Sequence, residues 1–319
     1  MALPVAKMSI ADTKPASDNA TYANRLMQPS KLLLLPREMQ DMVIDSVESQ
    51  QDLSALSKTC LELREAVLPF LFRNVQLPAD QHIIQLLRIL SESREHIRFA
   101  DMIETSKLHA TSFRSHSSVR ELIRSTPRLT RLELHYMLDQ SEEASPYTPS
   151  ISAKPLSFAL ASVKNTLQHL KIGYKTIFNK IRLGPGTVIG FCSLKQLHHL
   201  QTVDIPFRVL LGHGLDGPTL ADVLPRSLRS LKFGDDASII QPLDWNEGIV
   251  MMEFDEYLGD GLWKETTPEL NAVTISLCSY YELYGNGVAR GWRPDGGERK
   301  FRQLCAENGL KCDVIHYRF

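Results

Sequence analysis

The side chains that could do chemistry are scattered along this chain rather than gathered in one motif. Cys305, Cys312 and His316 are separated by six and three intervening residues. Thiolate and imidazole are zinc ligands, but closed zinc sites show a fourth ligand and paired short spacings, and neither accompanies these three. His198 and His199 precede Leu200; adjacent side chains on a strand point to opposite faces, so the pair is not expected to share one metal. Asp255, Glu256 and Asp260 do not follow the spacing of a calcium loop. Gly184-Pro185-Gly186 and Gly285-Asn286-Gly287 lack the third glycine of a phosphate-binding loop and read as turns. The sequence contains no nucleophile elbow, Walker loop or zinc-protease helix. The expectation is no catalytic residue, no metal and no cofactor. An enzyme on an α/β framework would need a pocket where histidine and carboxylate groups converge with perturbed pKa values, and no such group of residues stands out.

A protein that works by binding needs its polar residues set out on a regular frame, and the leucines supply one. Leu-x-x-Leu-x-Leu recurs as Leu129-Leu132-Leu134, Leu167-Leu170-Ile172, Leu200-Val203-Ile205, Leu228-Leu231-Phe233 and Leu270-Val273-Ile275. A weaker copy lies at 103–108 and a last one at 314–317. The starting points are spaced by 38, 33, 28 and 42 residues, and the segments 117–125 and 156–164 ahead of two copies have helical character. A short strand with a helix behind it cannot bury its apolar face alone, so successive units must stack. The spacing exceeds the about 20–29 residues of a regular leucine-rich repeat. The expected fold class is α/β, with an irregular leucine-rich-repeat-like solenoid and a curved parallel sheet over 78–319. A single α/β domain whose parallel strands share a leucine-rich code is the alternative. An exposed loop is expected at 139–155, rich in Ser, Pro and acids, and a longer insertion at 235–268. The second should hold a helix over Glu247–Leu258, with Trp245 and Trp263 as buried anchors.

Between the leucines, strand side chains alternate away from the core. One such row reads Glu133, Lys171, Asp204, Lys232 and Thr274. It is flanked by Arg131, His169, Thr202 and Ser230 on one side and by His135, Gly173, Pro206 and Gly234 on the other. If the strands are parallel and in register, the central row alternates in sign, each lateral pair contributing about 0.2–1 kcal/mol. A polar face of mixed charge suits a peptide or protein surface. Its candidate substrate-binding residues are Arg131, Glu133, His135, His169, Lys171, Asp204 and Lys232; an ordinary solvated face would have the same composition.

Residues 1–30 show no lasting period and read as a disordered leader. From Leu32 to Leu77 the pattern is helical. Pro36 suits the first turn of a helix and Glu38 its positive end, and Met39, Met42, Val43 and Val47 share one face. Asp52 is the expected N-cap of a second helix with Leu53 and Leu56. A third stripe runs through Cys60, Leu63, Val67, Leu68 and Leu71, bent or ended by Pro69. So small a unit leaves part of its apolar face uncovered, and an exposed apolar patch marks a binding site.

This stretch resembles the F-box family of fungal type, on Leu35-Pro36-Arg37-Glu38, Met42, Ile44, Asp52-Leu53, Leu56-Ser57, Cys60, Arg64 and the closing Leu68-Pro69-Phe70-Leu71-Phe72-Arg73. It departs from the family at Leu63, where an aromatic residue is often found. Ser193-Leu194-Lys195, Ile205-Pro206, Leu210-Leu211-Gly212 and Leu224-Pro225-Arg226-Ser227-Leu228 resemble the C-terminal leucine-rich arrays of such proteins. The resemblance implies an N-terminal three-helix F-box over 31–77 that docks on a Skp-type adaptor and, through it, a cullin–RING ubiquitin ligase. Its adaptor-binding residues would be Leu33, Leu35, Pro36, Glu38, Met39, Val43, Leu53 and Leu56. The array would hold a protein substrate near the ubiquitin-loaded enzyme and raise its effective concentration. An interaction scaffold that keeps the box but works outside a ligase is the other reading.

Charge and composition bear on the partners. With 36 basic against 37 acidic side chains and a net charge of -1, the chain has no basic excess to displace counterions from phosphates, so no nucleic acid is expected. The apolar run Leu32–Leu35 falls far short of the roughly 20 residues of a membrane helix, so no membrane is expected. Five cysteines, odd and sparse, do not form a secreted disulfide framework. These features lead to an expected location in the cytoplasm, the nucleus or both.

Overall fold

In the computed structural model, which describes residues 31–77, 85, 102–110, 116–138, 151–176, 188–189, 193–212, 217–234, 247–278 and 294–317, the chain divides between Leu68 and Pro69 into two units. The expected leader, 1–30, lies outside the described residues.

The first unit opens with a 3-10 turn, Lys31–Leu34. Helix α1, Arg37–Asp45, starts directly after Pro36, and Arg37 Nε reaches Asp41 Oδ1 at 3.1 Å one turn on. Gln40 Nε2 donates to Leu35 O at 2.8 Å, tying the approach segment to the helix. Helix α2 is Gln50–Leu56, and its N-cap is Ser49, whose hydroxyl accepts from Asp52 N–H at 3.3 Å. Asp52 is thus not the cap. The helix begins earlier and places it in the first turn, where its charge meets the positive end of the dipole. Helix α3, Leu61–Arg73, runs through Pro69 instead of ending there; a proline this near the C-terminus forfeits one intrahelical bond while the remaining turn closes. The buried residues of these helices are Ile44, Leu53, Leu63, Ala66 and Val67.

The second unit is organised by eight strands in one wholly parallel sheet. In chain order the strands are β1 (Asn74–Leu77), β2 (Thr105–Ala110), β3 (Arg131–Leu138), β4 (Ile151–Ser152), β5 (His169–Thr176), β6 (Val188–Ile189), β7 (Thr202–Asp204), β8 (Ser230–Phe233), β9 (Ala272–Cys278) and β10 (Lys311–Tyr317). The large sheet runs β1-β2-β3-β5-β7-β8-β9-β10, each strand beside the next in sequence, while β4 and β6 pair separately. Residues 74–77, expected within the helical box, instead form the first strand, in register with 105–108. That pairing explains why the unit boundary falls before residue 77.

Helices precede several strands: α4 (His116–Ser125) before β3, and α5 (Ala153–Leu160) with a 3-10 turn (Ala161–Val163) before β5. Farther on come α6 (Phe207–Leu211), α7 (Leu220–Val223), α8 (Glu247–Phe254), a π-turn (Asp255–Gly259), α9 (Leu262–Thr266) and α10 (Arg299–Glu307). The sequence expectation for a helix over 247–258 holds. Within the expected loop 139–155, residues 151–155 instead enter β4 and α5, and 139–150 lie outside the described residues. Trp263 is buried and donates from Nε1 to Asn308 Oδ1 at 3.1 Å; Trp245 is outside the described residues.

Stacking follows from the leucine code. Leu132, Leu170, Val203, Leu231 and Val273 stand side by side in the ladder, as do Leu134 with Ile172 and Phe233 with Ile275, and all are buried. The leading leucines close turns: Leu129 N–H on Thr126 O at 3.1 Å, Leu200 on Leu197 at 3.1 Å, Leu228 on Pro225 at 3.2 Å and Leu270 on Thr267 at 3.0 Å. One carbonyl per unit, from Glu104, Thr130, Gln168, Gln201 and Arg229, then accepts two N–H groups entering the next strand, at 2.7–3.2 Å. Each buried Leu or Ile contributes about 1.5–3 kcal/mol. An aromatic cluster adds to the core, with Phe207 stacked on Phe233 at 3.8 Å and Phe254 edge-on to Phe301 at 4.9 Å.

Candidate functional site

The parallel register decides what faces away from that core. It sets Gln76, Lys107, Glu133, Lys171, Asp204, Lys232, Thr274 and Asp313 in one row, and Thr105, Arg131, His169, Thr202, Ser230 and Ala272 in the row beside it. The central row expected from the leucine spacing is therefore present in the expected order.

A depression of about 280 Å³ opens on this face. Arg131, Glu133, His169, Lys171, Asp204 and Lys232 all line it, joined by Thr202 and Ser230. His135 stands outside the lining but places Nε2 3.8 Å from Glu133 Oε2. Its imidazole lies over the neighbouring strand at Gly173, where a Cβ would come within 3.2 Å of Nδ1. Glycine there leaves the ring its room.

The expected alternation of charge forms only in part. Lys232 Nζ reaches Asp204 Oδ2 across the strands at 3.1 Å. Glu133, however, is taken by Arg131 of its own strand, Nη2 to Oε1 at 2.9 Å. Arg131 can do this because residues two apart share a face and its planar fork reaches a carboxylate with two donors, here Nε at 3.2 Å as well. Lys171 lies between the two carboxylates, and among the described residues its ammonium has no ion-pair partner.

His169 Nδ1 is 2.7 Å from Thr202 Oγ1. Burial, helped by the Arg131 guanidinium, holds the imidazole below its ordinary pKa and so favours its neutral form. A hydroxyl bound to an imidazole is the first pair of a nucleophile–base arrangement, but among the described residues no carboxylate hydrogen-bonds the ring's other nitrogen. Thr202 and Ser230 are the lining residues the sequence left as flankers; their signal was the position two before each Asp204 and Lys232.

The other candidate surface belongs to the first unit. Met39, Met42 and Val43, three and four apart on α1, are 50%, 74% and 44% exposed, and Leu34 and Leu61 are 70% and 66% exposed. These three side chains face outward, and Ile44 is the buried residue of α1. Among the remaining adaptor-binding candidates, Pro36 and Glu38 are exposed and Leu33, Leu35 and Leu56 half-buried. Leu53, fourth residue of α2, turns inward and is 6% exposed.

Of the groups considered for metals, Cys305 and Cys312 share a hydrogen bond. His198 and His199 sit exposed in a turn, not on a strand. Cys305 is buried, and its hydrogen bond with Cys312, together with burial, pushes it far above the ordinary thiol range; the same bond draws Cys312 down. The His316 side chain lies outside the described residues. Among the described residues no group of three or more potential ligands could hold a metal ion, and no helix is long and apolar enough to cross a membrane. No protein-family model matches the chain, and no curated protein is significantly similar to it.

Proposed function

We propose that this chain is the substrate-recognition subunit of a Skp–cullin–F-box ubiquitin ligase, acting in the cytoplasm, the nucleus or both. The N-terminal helices would be the F-box, and the parallel sheet with its helices an irregular leucine-rich-repeat-like solenoid that holds a protein substrate. The observation that supports this most is the apolar face of α1, where Met39, Met42 and Val43 stand exposed directly after Leu35-Pro36-Arg37-Glu38. Side chains of this kind left in water favour association, since covering a methionine or leucine is worth about 1.5–3 kcal/mol. The chain would do no bond chemistry; it would bring substrate and ubiquitin-loaded enzyme together.

The test is co-purification with a Skp-type adaptor, comparing wild type with Met39→Asp/Met42→Asp. Both positions are exposed, so the variant should keep its circular dichroism and melting temperature while losing stoichiometric capture. Folded wild type that captures no adaptor defeats the reading. Adaptor capture without cullin recruitment would instead favour a scaffold that works outside a ligase.

A further inference from the structure

We infer that the groove on the polar face of the sheet takes the carboxylate of an acidic side chain on an extended peptide, with Lys171 as its counter-ion. This deepens the proposed function and rests on it only in treating that face as the one that meets substrate.

The inference starts from how the charges are shared out. The lining holds three permanent cations, Arg131, Lys171 and Lys232, against two carboxylates, Glu133 and Asp204. Arg131 occupies Glu133 and Lys232 occupies Asp204, at 2.9 and 3.1 Å. Neighbouring parallel strands lie about 4.8 Å apart, so Lys171 stands one strand from each carboxylate, yet neither is shared with it among the described residues. Lys171 is half-buried as a residue, and an ammonium with no ion-pair partner gains from an incoming anion. The groove is therefore one positive charge in excess, and that excess is centred on a single side chain.

The size of the excess selects the ligand. A phosphorylated side chain brings about two negative charges and three acceptor oxygens, which calls for more than one free cation. Here Glu133 and Asp204 flank Lys171 on both sides and would repel a dianion more strongly than a monoanion. A single Asp or Glu carboxylate matches the one free cation. Ser230 and the Thr202–His169 pair, in the adjoining row, offer hydroxyl and imidazole groups to the backbone of the same peptide. An extended chain fits because the rows repeat at strand spacing across a regular sheet.

The experiment is selection of peptides from a random 12-residue displayed library by the full-length chain, followed by affinity measurements on the enriched peptides. The expected result is one fixed Asp or Glu in the enriched sequences, whose change to Asn or Gln weakens binding about tenfold, as for loss of a charged hydrogen bond. Lys171→Met should remove that preference without adding a carboxylate to the row. Lys171→Glu should replace it by Lys or Arg. The inference is overturned if folded protein enriches no peptide, if the enriched peptides lack the acid, or if Lys171→Met leaves the preference intact. It is also overturned, in favour of phosphopeptides, if phosphoserine in place of the acid binds tenfold tighter or more. Adaptor capture measured on the same preparation reports the ligase reading separately, so either can fail alone.

Discussion

The two regions leave different things unfinished at their surfaces. The N-terminal helices turn a few side chains inward, from Ile44 to Val67, and hold Leu34, Met39, Met42 and Leu61 out in water. The sheet buries a continuous core from Ile103 to Val314 and presents charge outward. Among the described residues most large exposed apolar side chains lie in the first region, while the groove of the second is lined by one more cation than carboxylate. The contrast follows from size and geometry. Three short helices offer little interior, so some apolar residues remain outside, whereas stacked strands give every leucine a neighbour on both sides and leave only the alternate residues to solvent.

The largest effect that would sharpen this contrast is truncation in the sheet core. Phe233→Ala removes a ring stacked on Phe207 at 3.8 Å and edge-on to Phe254 at 5.7 Å, and should cost about 3–5 kcal/mol in urea unfolding. Met42→Ala, of an exposed residue, should stay within about 0.5 kcal/mol. Equal losses at the two positions would break the contrast.

A smaller effect concerns pH. Leu220 N–H, at the start of α7, donates to Glu253 Oε1 at 2.7 Å. Burial nonetheless raises the Glu253 pKa above 4.5, opposed by that hydrogen bond and assisted by Glu256 and Asp222. The folded state therefore favours the protonated acid, and wild type gains stability as pH falls through the folded pKa towards 4.5. Glu253→Gln keeps an acceptor for Leu220 and has no charge. Its melting temperature should equal or exceed that of wild type at pH 7, with any advantage shrinking on acidification. A variant less stable at pH 7 would show that the charged bond outweighs burial.

The smallest effect is that of Asp204 with Lys232. A double-mutant cycle with Asp204→Asn and Lys232→Gln should give a coupling of about 0.2–1 kcal/mol, reduced by salt. Coupling well above that range would mean the pair is more enclosed than its side-chain exposures of 30% and 21% suggest.

Much of the sheet was legible because its code is local. Each leucine triplet marks a strand, and alternation then assigns Glu133, Lys171, Asp204 and Lys232 to the outer face without knowledge of the neighbours. The helix starts were less legible. Ser49 and Asp52 are both good N-caps, and only the backbone entering α2 chose Ser49. Strand β1 was hidden because Asn74–Leu77 has no leucine triplet and becomes a strand only by pairing with 105–108.

The outward face of α1 illustrates the same limit from the other side. A spacing of three and four shows that Met39, Met42 and Val43 share a face, but periodicity cannot say whether that face or the one holding Ile44 meets the core. The charge row divides in the same way. Its membership and order follow from strand alternation, which is a property of the backbone alone. Which cation takes which carboxylate was settled in three dimensions, where Arg131 reaches Glu133 along its own strand and Lys232 reaches Asp204 on the adjacent one. Three-dimensional reach, not sequence spacing, left Lys171 without an ion-pair partner among the described residues.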